Sequence, residues 1–387
     1  MDFELGEGAE RMQREVSAFL DRHFDGAAKE RTRATGDGHD WELYRLVAEQ
    51  GWVSAAWPED VGGQGRDAYE MLALQWELSK REFPWFGILN NSLIGQTLLA
   101  LGTDEHRRDV VPRIVNGEIV VALGYSEPAV GSDVASVETR AVRDGDAWVI
   151  DGQKMWTTLA HMSQYIFALV RTDPDVARHK GLSVFLVPTD AAGVEIQPVH
   201  TMGGERTNAV YLDGVRVPDA ARVGEVNGGW SVVRYALGLE QGTGFADRME
   251  LLVEQAERWA RAPGEEGRRP IDEAGVREGL AQAAIHAEVA KLLRYRSAWV
   301  HAEGVAEPAA GPMAKLFSGE KYTEDATALL ELVGAEGVLE HGAPGAPEAG
   351  AFAETARGVP VTTIYGGSSE ILRSLIAEAG LGLPRSR

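Results

Sequence analysis

Apolar positions recur at helical spacing through the first 118 residues. Met12, Val16, Phe19 and Leu20 form one stripe, Tyr44, Val47 and Ala48 a second, Met71, Leu72, Leu74 and Leu78 a third, and Leu93, Leu98 and Leu99 a fourth. Breakers separate these runs. Trp57-Pro58-Glu59-Asp60-Val61-Gly62-Gly63-Gln64-Gly65 reads as a turn-rich connector, and Thr103 or Asp104, after Gly102, caps a further helix.

From Ile119 to about Arg222 the period changes to two. Glu138 to Val142, the Asp144-Gly145 turn and Trp148 to Ile150 give a hairpin signal, and Asp151-Gly152 reads as a second turn. Further strands are expected at Tyr165–Val170, Leu182–Val187, Val194–Pro198 and Ala209–Val217. Short strands so spaced argue for a sandwich or barrel rather than a parallel βαβ sheet, and no strand-GxGxxG-helix unit supports a Rossmann reading. Helical period resumes after Gly228-Gly229-Trp230. Trp230–Arg261 reads as one long helix, weakened in propensity by Gly242 and Gly244, and further helices are expected at 273–304, 313–333 and 368–379. The expected architecture is α+β and multidomain: an N-terminal helical domain (1–118), a central antiparallel β-sandwich or barrel-like domain (119–226) and a C-terminal helical bundle (227–387).

Length and composition fit this picture, since 387 residues suggest two or three domains and 44% hydrophobic with 25% charged residues is ordinary for a globular chain. No apolar run approaches the ~20 residues that span a bilayer. The acidic opening, Asp2-Phe3-Glu4-Leu5-Gly6-Glu7, lacks a basic n-region with an apolar core, so a cytoplasmic location is expected. With no cysteine, disulfides, thiolate catalysis and Cys-ligated metals are excluded, and the nine His include no close pair that would suggest a metal site. A net charge of -21 argues against nucleic-acid binding. Any phosphate-bearing ligand would have to be held by local donors against the global field.

One stretch carries a more specific signal. Gly124-Tyr125-Ser126-Glu127-Pro128-Ala129-Val130-Gly131-Ser132-Asp133 joins an apolar strand to a loop of hydroxyls, small residues and free amides, and Lys154-Met155-Trp156-Thr157-Thr158 returns to a Trp-Thr-Thr strand end. That combination suits a flat polar ligand: Gly131 lets the backbone approach it, Ser132 adds a donor, and Trp156 offers a broad face.

Ser-Glu-Pro, two variable residues, Gly-Ser-Asp, then Lys-x-Trp-x-Thr about two dozen residues later, resembles the signature of the acyl-CoA dehydrogenase flavoproteins. The helix–β–helix order matches that family over nearly the whole chain. The resemblance implies FAD, with Tyr125, Ser126, Ser132, Trp156 and Thr158 at the flavin and Ser368 and Glu370 as tail residues reaching it. Ser368 is also a good helix N-cap. In relatives, a neighbouring subunit's Gln-x-x-Gly-Gly-x-Gly stretch completes the cofactor site; here Glu331–Gly337 retains Gly334 and Gly337. The implied partners are an acyl-CoA or acyl-carrier-protein thioester, an electron-transfer flavoprotein, and further subunits in a homotetramer, homodimer or heteromer.

Introducing a double bond beside a thioester requires a base for the α-proton and an acceptor for the β-hydride. Many relatives carry the base in Tyr-Glu-Gly-Thr, but this chain has Tyr365-Gly366-Gly367-Ser368. Other relatives place it on the first long C-terminal helix, where Leu237-Gly238-Leu239-Glu240-Gln241 stands. On one helix, Val233, Leu237, Glu240, Gly244 and Leu251 share a stripe, and a Glu there is expensive to bury without a role or a partner. The resemblance thus implies Glu240 as base and the Gly366 backbone N–H as a donor to the thioester carbonyl, which needs no side chain. Arg206 is a plausible substrate or loop contact, and His161 reads as a satisfied structural histidine. Two alternatives share the fold: a flavin oxidase or monooxygenase, and a non-catalytic subunit of a heteromeric dehydrogenase.

Overall fold

Three aspartates open three successive helices. Asp25, Asp40 and Asp67 accept first-turn N–H groups of α2 (Gly26–Thr35), α3 (Trp41–Glu49) and α4 (Ala68–Lys80), and Asp67 with Glu70 completes a capping box. Before them, α1 (Gly6–His23) buries Met12, Val16, Phe19 and Leu20, the stripe its spacing predicts. Two helices follow, α5 (Phe86–Leu101) and α6 (Val111–Val115). The computed structural model describes residues 3–240, 244–263 and 267–384, with Glu240 described at its backbone alone.

The β region holds β1 (Val121–Gly124), β2 (Arg140–Asp144), β3 (Ala147–Lys154), β4 (Tyr165–Arg171), β5 (Leu182–Pro188), β6 (Val194–His200), β7 (Arg206–Pro218) and β8 (Arg222–Val223). They form one sheet in the order β6-β7-β3-β2-β4-β5-β8, with β1 against β4. Most pairings are antiparallel; β1 and one residue pair of β2 meet β4 in parallel. The sheet folds over on itself without closing into a barrel. Strands β3 and β5 are three places apart, about 14 Å in a flat sheet, yet the Trp148 and Phe185 rings lie 5.5 Å apart. Between the two halves sit Ile150, Ile166, Val170, Val187, Val210 and Val215.

The outer faces of β4 and β5 are covered as well. Phe167, Leu169, Val184 and Leu186 share one apolar cluster with Leu20, Val47 and Ile94 of the N-terminal helices and with Val232, Val233 and Ala236 of α7 (Gly229–Glu240). This is why both strands read as continuous apolar runs rather than alternating ones. Each fully buried Leu or Phe there contributes about 2 kcal/mol by removal from water. The remaining helices are α8 (Ala246–Arg261), α9 (Ala274–Ala302), α10 (Ala310–Val333), α11 (Ala351–Gly358) and α12 (Ser369–Leu375). Leu252, Ala256, Ala283, Leu329 and Phe352 build the core of this bundle.

Two expectations are corrected. Asp151-Gly152 is not a turn: both residues lie inside β3, where the register against β7 slips by one residue between Ile150 and Gly152. Gly214 (φ +60°) takes up the additional residue on β7, and its N–H donates to Asp151 Oδ1 at 2.9 Å. The Asp-Gly signal therefore marks a β-bulge. The segment 230–261 is likewise two helices, α7 and α8, with Gly244 and Phe245 outside both. Phe245 N–H donates to Ser318 Oγ of α10 (3.1 Å), so a tertiary contact holds the break. Leu251 consequently belongs to a different helix from Val233 and Leu237, and the single stripe through Glu240 does not exist.

Candidate active site

Past Lys154 the chain enters a strained turn. Trp156 (φ +60°) and Leu159 (φ +68°) both adopt the left-handed conformation, which costs a non-glycine residue of order 1–3 kcal/mol. Leu159 is fully buried, whereas Trp156 is 57% exposed. Between them Thr157 is fixed from both sides: its N–H donates to the Asn208 carbonyl (3.0 Å), and its carbonyl accepts from Asn208 Nδ2 (2.9 Å). Thr158 Oγ1 donates to Thr207 Oγ1 (3.1 Å). An indole held into solvent by a rigid, strained strand end is what a flat ligand requires. Buried Thr157 Oγ1 and Asn208 Oδ1 have no partner among the described residues.

The signature loop packs beside this strand end, with Met155 N–H donating to the Ser126 carbonyl at 2.9 Å. Tyr125 is half-buried, edge-on to Phe167 with ring centroids 6.0 Å apart. Ser132 is exposed, and the N–H groups of Gly131, Ser132 and Asp133 meet no protein acceptor among the described residues. Free amides in a row suit phosphate oxygens. These donors, the exposed Trp156 face and the Thr158 hydroxyl fit a flavin carrying a pyrophosphate. The loop itself is held by a residue that the sequence marked only as a signature letter. Buried Glu127 accepts Lys154 Nζ at 2.7 Å and the N–H groups of Glu138 (2.7 Å) and Thr139 (3.0 Å).

Gly366 (φ +61°) and Gly367 (φ +95°) form an exposed turn before α12. Lys315, buried in α10, donates from Nζ to the carbonyls of Thr362 (3.1 Å) and Gly367 (3.0 Å), bracketing the Gly366 amide. The same ammonium lies 5.7 Å from the Tyr365 ring centroid and 5.8 Å from that of Phe245. Those rings meet edge to face at 6.0 Å. Lys315 thus joins the glycine turn to the junction that follows α7. Glu240 is the last residue of α7, and its side chain lies outside the described residues, as does Gln241. A lysine inside the apolar run Met313–Phe317 was the available signal for Lys315.

Ser368 caps α12, accepting the Ile371 N–H at 3.4 Å. Glu370 is exposed, and its own N–H together with the Ser368 hydroxyl holds its carboxyl below the usual range. Gly334 and Gly337 follow α10; nineteen residues from Lys315, Gly334 stands about 28 Å along the helix axis from the lysine. They are not at the Lys315 site of their own chain. His161 is satisfied at both ring nitrogens, by Asp37 (2.9 Å) and Asn208 (3.2 Å). Arg206 has a buried Nε with no partner among the described residues.

The chain matches three family models: acyl-CoA dehydrogenase N-terminal domain (residues 6–118), middle domain (122–215) and C-terminal domain (227–381). It belongs to the acyl-CoA dehydrogenase family, a family of flavoproteins, and is an oxidoreductase of that class. Among its relatives, acyl-CoA dehydrogenase FadE26 of Mycobacterium tuberculosis is 37% identical over 354 residues, 89% of this chain and 88% of that one. The ChsE4-ChsE5 complex from Mycobacterium tuberculosis has a chain of 35% identity and TM-score 0.91, with full coverage of both chains. A solved steroid acyl-CoA dehydrogenase, Tcur3481-Tcur3483, gives 34% identity, TM-score 0.90 and the same full coverage. No described helix is long and apolar enough to cross a membrane.

Proposed function

We propose that this protein converts an acyl-CoA to the trans-2-enoyl-CoA with bound FAD, using the Glu240 carboxylate to remove the α-proton and the Gly366 N–H to hold the thioester carbonyl. FAD, when bound, supplies the ring that accepts the β-hydride. The observation that carries this reading is the junction at Lys315, where Phe245, five residues beyond Glu240, packs against Tyr365, the neighbour of Gly366. Where the described chain resumes at Gly244, Phe245 lies against the Tyr365 ring beside the glycine turn, which supports a base supplied from the end of α7. Glycine at 366 keeps the amide donor and leaves room for a carboxylate arriving from another helix.

Trp156, Thr158, Tyr125, Ser126 and Ser132 would hold the flavin and its pyrophosphate, with Ser368 and Glu370 at its tail. Gly334 and Gly337, so far along α10, would serve the cofactor of a neighbouring subunit. The segments 1–118, 119–226 and 227–387 are the units that meet around it. Reoxidation by an electron-transfer flavoprotein in the cytoplasm completes the cycle. One of the similar structures is described as a complex of two named components, and another, also named for two components, as a steroid acyl-CoA dehydrogenase. They support pairing with a second, related chain and a bulky acyl group.

The test is anaerobic reduction. Glu240→Gln should retain flavin yet fail to bleach with any acyl-CoA, steroid side-chain thioesters included, that bleaches the wild type. Reduction of the variant at the wild-type rate would make Glu240 the wrong base.

A further inference from the structure

Three hydrogen bonds link Asp37, on the loop between α2 and α3, to the Trp-Thr-Thr strand end. Asp37 Oδ1 lies 2.9 Å from His161 Nε2, His161 Nδ1 lies 3.2 Å from Asn208 Nδ2, and Asn208 Nδ2 lies 2.9 Å from the Thr157 carbonyl. The roles are forced by the end groups. A carbonyl and a carboxylate only accept, so the Asn208 amide donates both to Thr157 and to His161 Nδ1, and His161 donates from Nε2 to Asp37. The chain of bonds is complete only when the imidazole is neutral, with its proton on Nε2.

We propose that Asp37, His161 and Asn208 form a positioning relay that fastens the strained Trp156–Thr158 strand end to the N-terminal helical region and releases it when His161 takes a second proton. The inference rests on the reading that this strand end holds flavin. Doubly protonated, His161 turns a donor toward the Asn208 amide, itself a donor. Rotating Asn208 to present its Oδ1 would leave the Thr157 carbonyl without that partner. In the first case the link between His161 and Asn208 breaks; in the second the Thr157 carbonyl loses its side-chain partner. In both, the strand end with its left-handed Trp156 and Leu159 is no longer tied to Asp37, although the Thr157 N–H keeps its bond to the Asn208 carbonyl.

The surroundings favour the neutral form, burial first. Burial, then the positive charge of Arg206 on β7, lowers the pKa of His161, while Asp37 pulls the other way. His39 and Asp40 share the Asp37 loop, His39 close enough to His161 for the two to feel each other's charge. His200 on β6 pairs in register with Arg206, and β1 brings no titratable group. The relay therefore survives at neutral pH and opens on the acid side.

The experiment combines imidazole 15N NMR on the flavin-free chain with flavin titrations of the wild type, His161→Gln and His161→Leu across pH. A glutamine offers an acceptor to Asn208 and a donor to Asp37 but does not titrate. Wild-type His161 should be the Nε2–H tautomer, and flavin affinity should fall along its own titration curve. His161→Leu should bind flavin about tenfold more weakly at neutral pH, as expected for stranding buried polar partners. His161→Gln should bind as the wild type does and lose the acid-side decline. Asp37→Ala supplies the same break if His161→Leu does not fold. An Nδ1–H tautomer, or unchanged flavin affinity in both broken variants, overturns the relay. A wild type that takes up no flavin would instead defeat the flavin reading, and the tautomer would still decide the relay.

Discussion

Lys154 Nζ lies 2.7 Å from Glu127 Oε1, with the two side chains 0% and 6% exposed. Each also serves the backbone: Lys154 donates to the Leu169 carbonyl of β4, and Glu127 accepts the N–H groups of Glu138 and Thr139. One carboxylate thereby closes the loop from Glu127 to Thr139 and ties it to β3, which leads into Trp156. Burial alone would raise the Glu127 carboxyl, but the Lys154 charge and its hydrogen bonds outweigh that and hold it below its ordinary value. Removing one partner strands the other. Lys154→Met should cost about 3–5 kcal/mol in urea unfolding, and the Glu127→Gln, Lys154→Met double variant should cost clearly less than the sum of the singles. Additive losses would mean that the two charges are not coupled.

Acid should weaken the fold through two buried histidines. His39 and His106, each 3% exposed, are lowered to about 4. Burial dominates for both: Asp40 and Asp37 partly offset it at His39, and Arg107 adds to it at His106. In the unfolded chain each titrates near 6.5. Between those values the unfolded state binds more protons than the native one, so stability falls as pH falls. Each site should remove roughly 3 kcal/mol between about pH 6.5 and pH 4. Glu127, whose carboxyl is depressed, adds a loss in the same direction as pH drops through its own lower range. His39→Gln should flatten its share of the decline in unfolding free energy against pH, and an unchanged slope would show that the ring is not the source.

Local pattern carried most of the architecture, because amphipathic stripes such as Met12–Leu20 and alternating strands bury one face and write that face into the sequence. What it could not carry depended on partners remote in the chain. The break before α8 hangs on Ser318, the relay joins Asp37 to His161 across 124 residues, and Lys315 meets Thr362 and Gly367 across 47 and 52 residues. Glu127 and Lys154 were visible as signature letters, yet their mutual role follows only from the folding of β3 against the loop. The glycines after α10 show the converse: their residue types suggest ligands, yet Gly334 stands about 28 Å along the helix axis from Lys315 of the same chain.

The bulge that replaced the expected turn makes a sharp stability prediction. At Gly152 (φ +153°) an added Cβ would stand 2.7 Å from Thr139 Cα and 2.5 Å from its Oγ1. The first contact is backbone that cannot rotate away. Gly152→Ala should lose about 1–3 kcal/mol by overpacking. Because Thr139 N–H is also a ligand of Glu127, the variant should make the signature loop more susceptible to limited proteolysis. A fully stable Gly152→Ala would mean that the strands can part at the bulge without cost.

Lys315 offers a way to perturb the Gly366 amide without touching it. Its ammonium holds the carbonyls on either side of the turn at 3.1 and 3.0 Å, so the direction of the Gly366 N–H depends on a side chain of α10. Lys315→Met keeps the aliphatic stem in its buried channel and removes both bonds. A donor displaced by even 1 Å from a developing oxyanion costs of order 100-fold in rate. Lys315→Met should therefore reduce kcat by about 10- to 100-fold while changing the KM for an acyl-CoA far less, since most thioester binding energy lies away from the carbonyl. Far-UV circular dichroism and flavin content should stay near wild type. A variant that instead raises KM alone would place Lys315 in substrate binding, and one that loses flavin in proportion to activity would reduce it to a structural support.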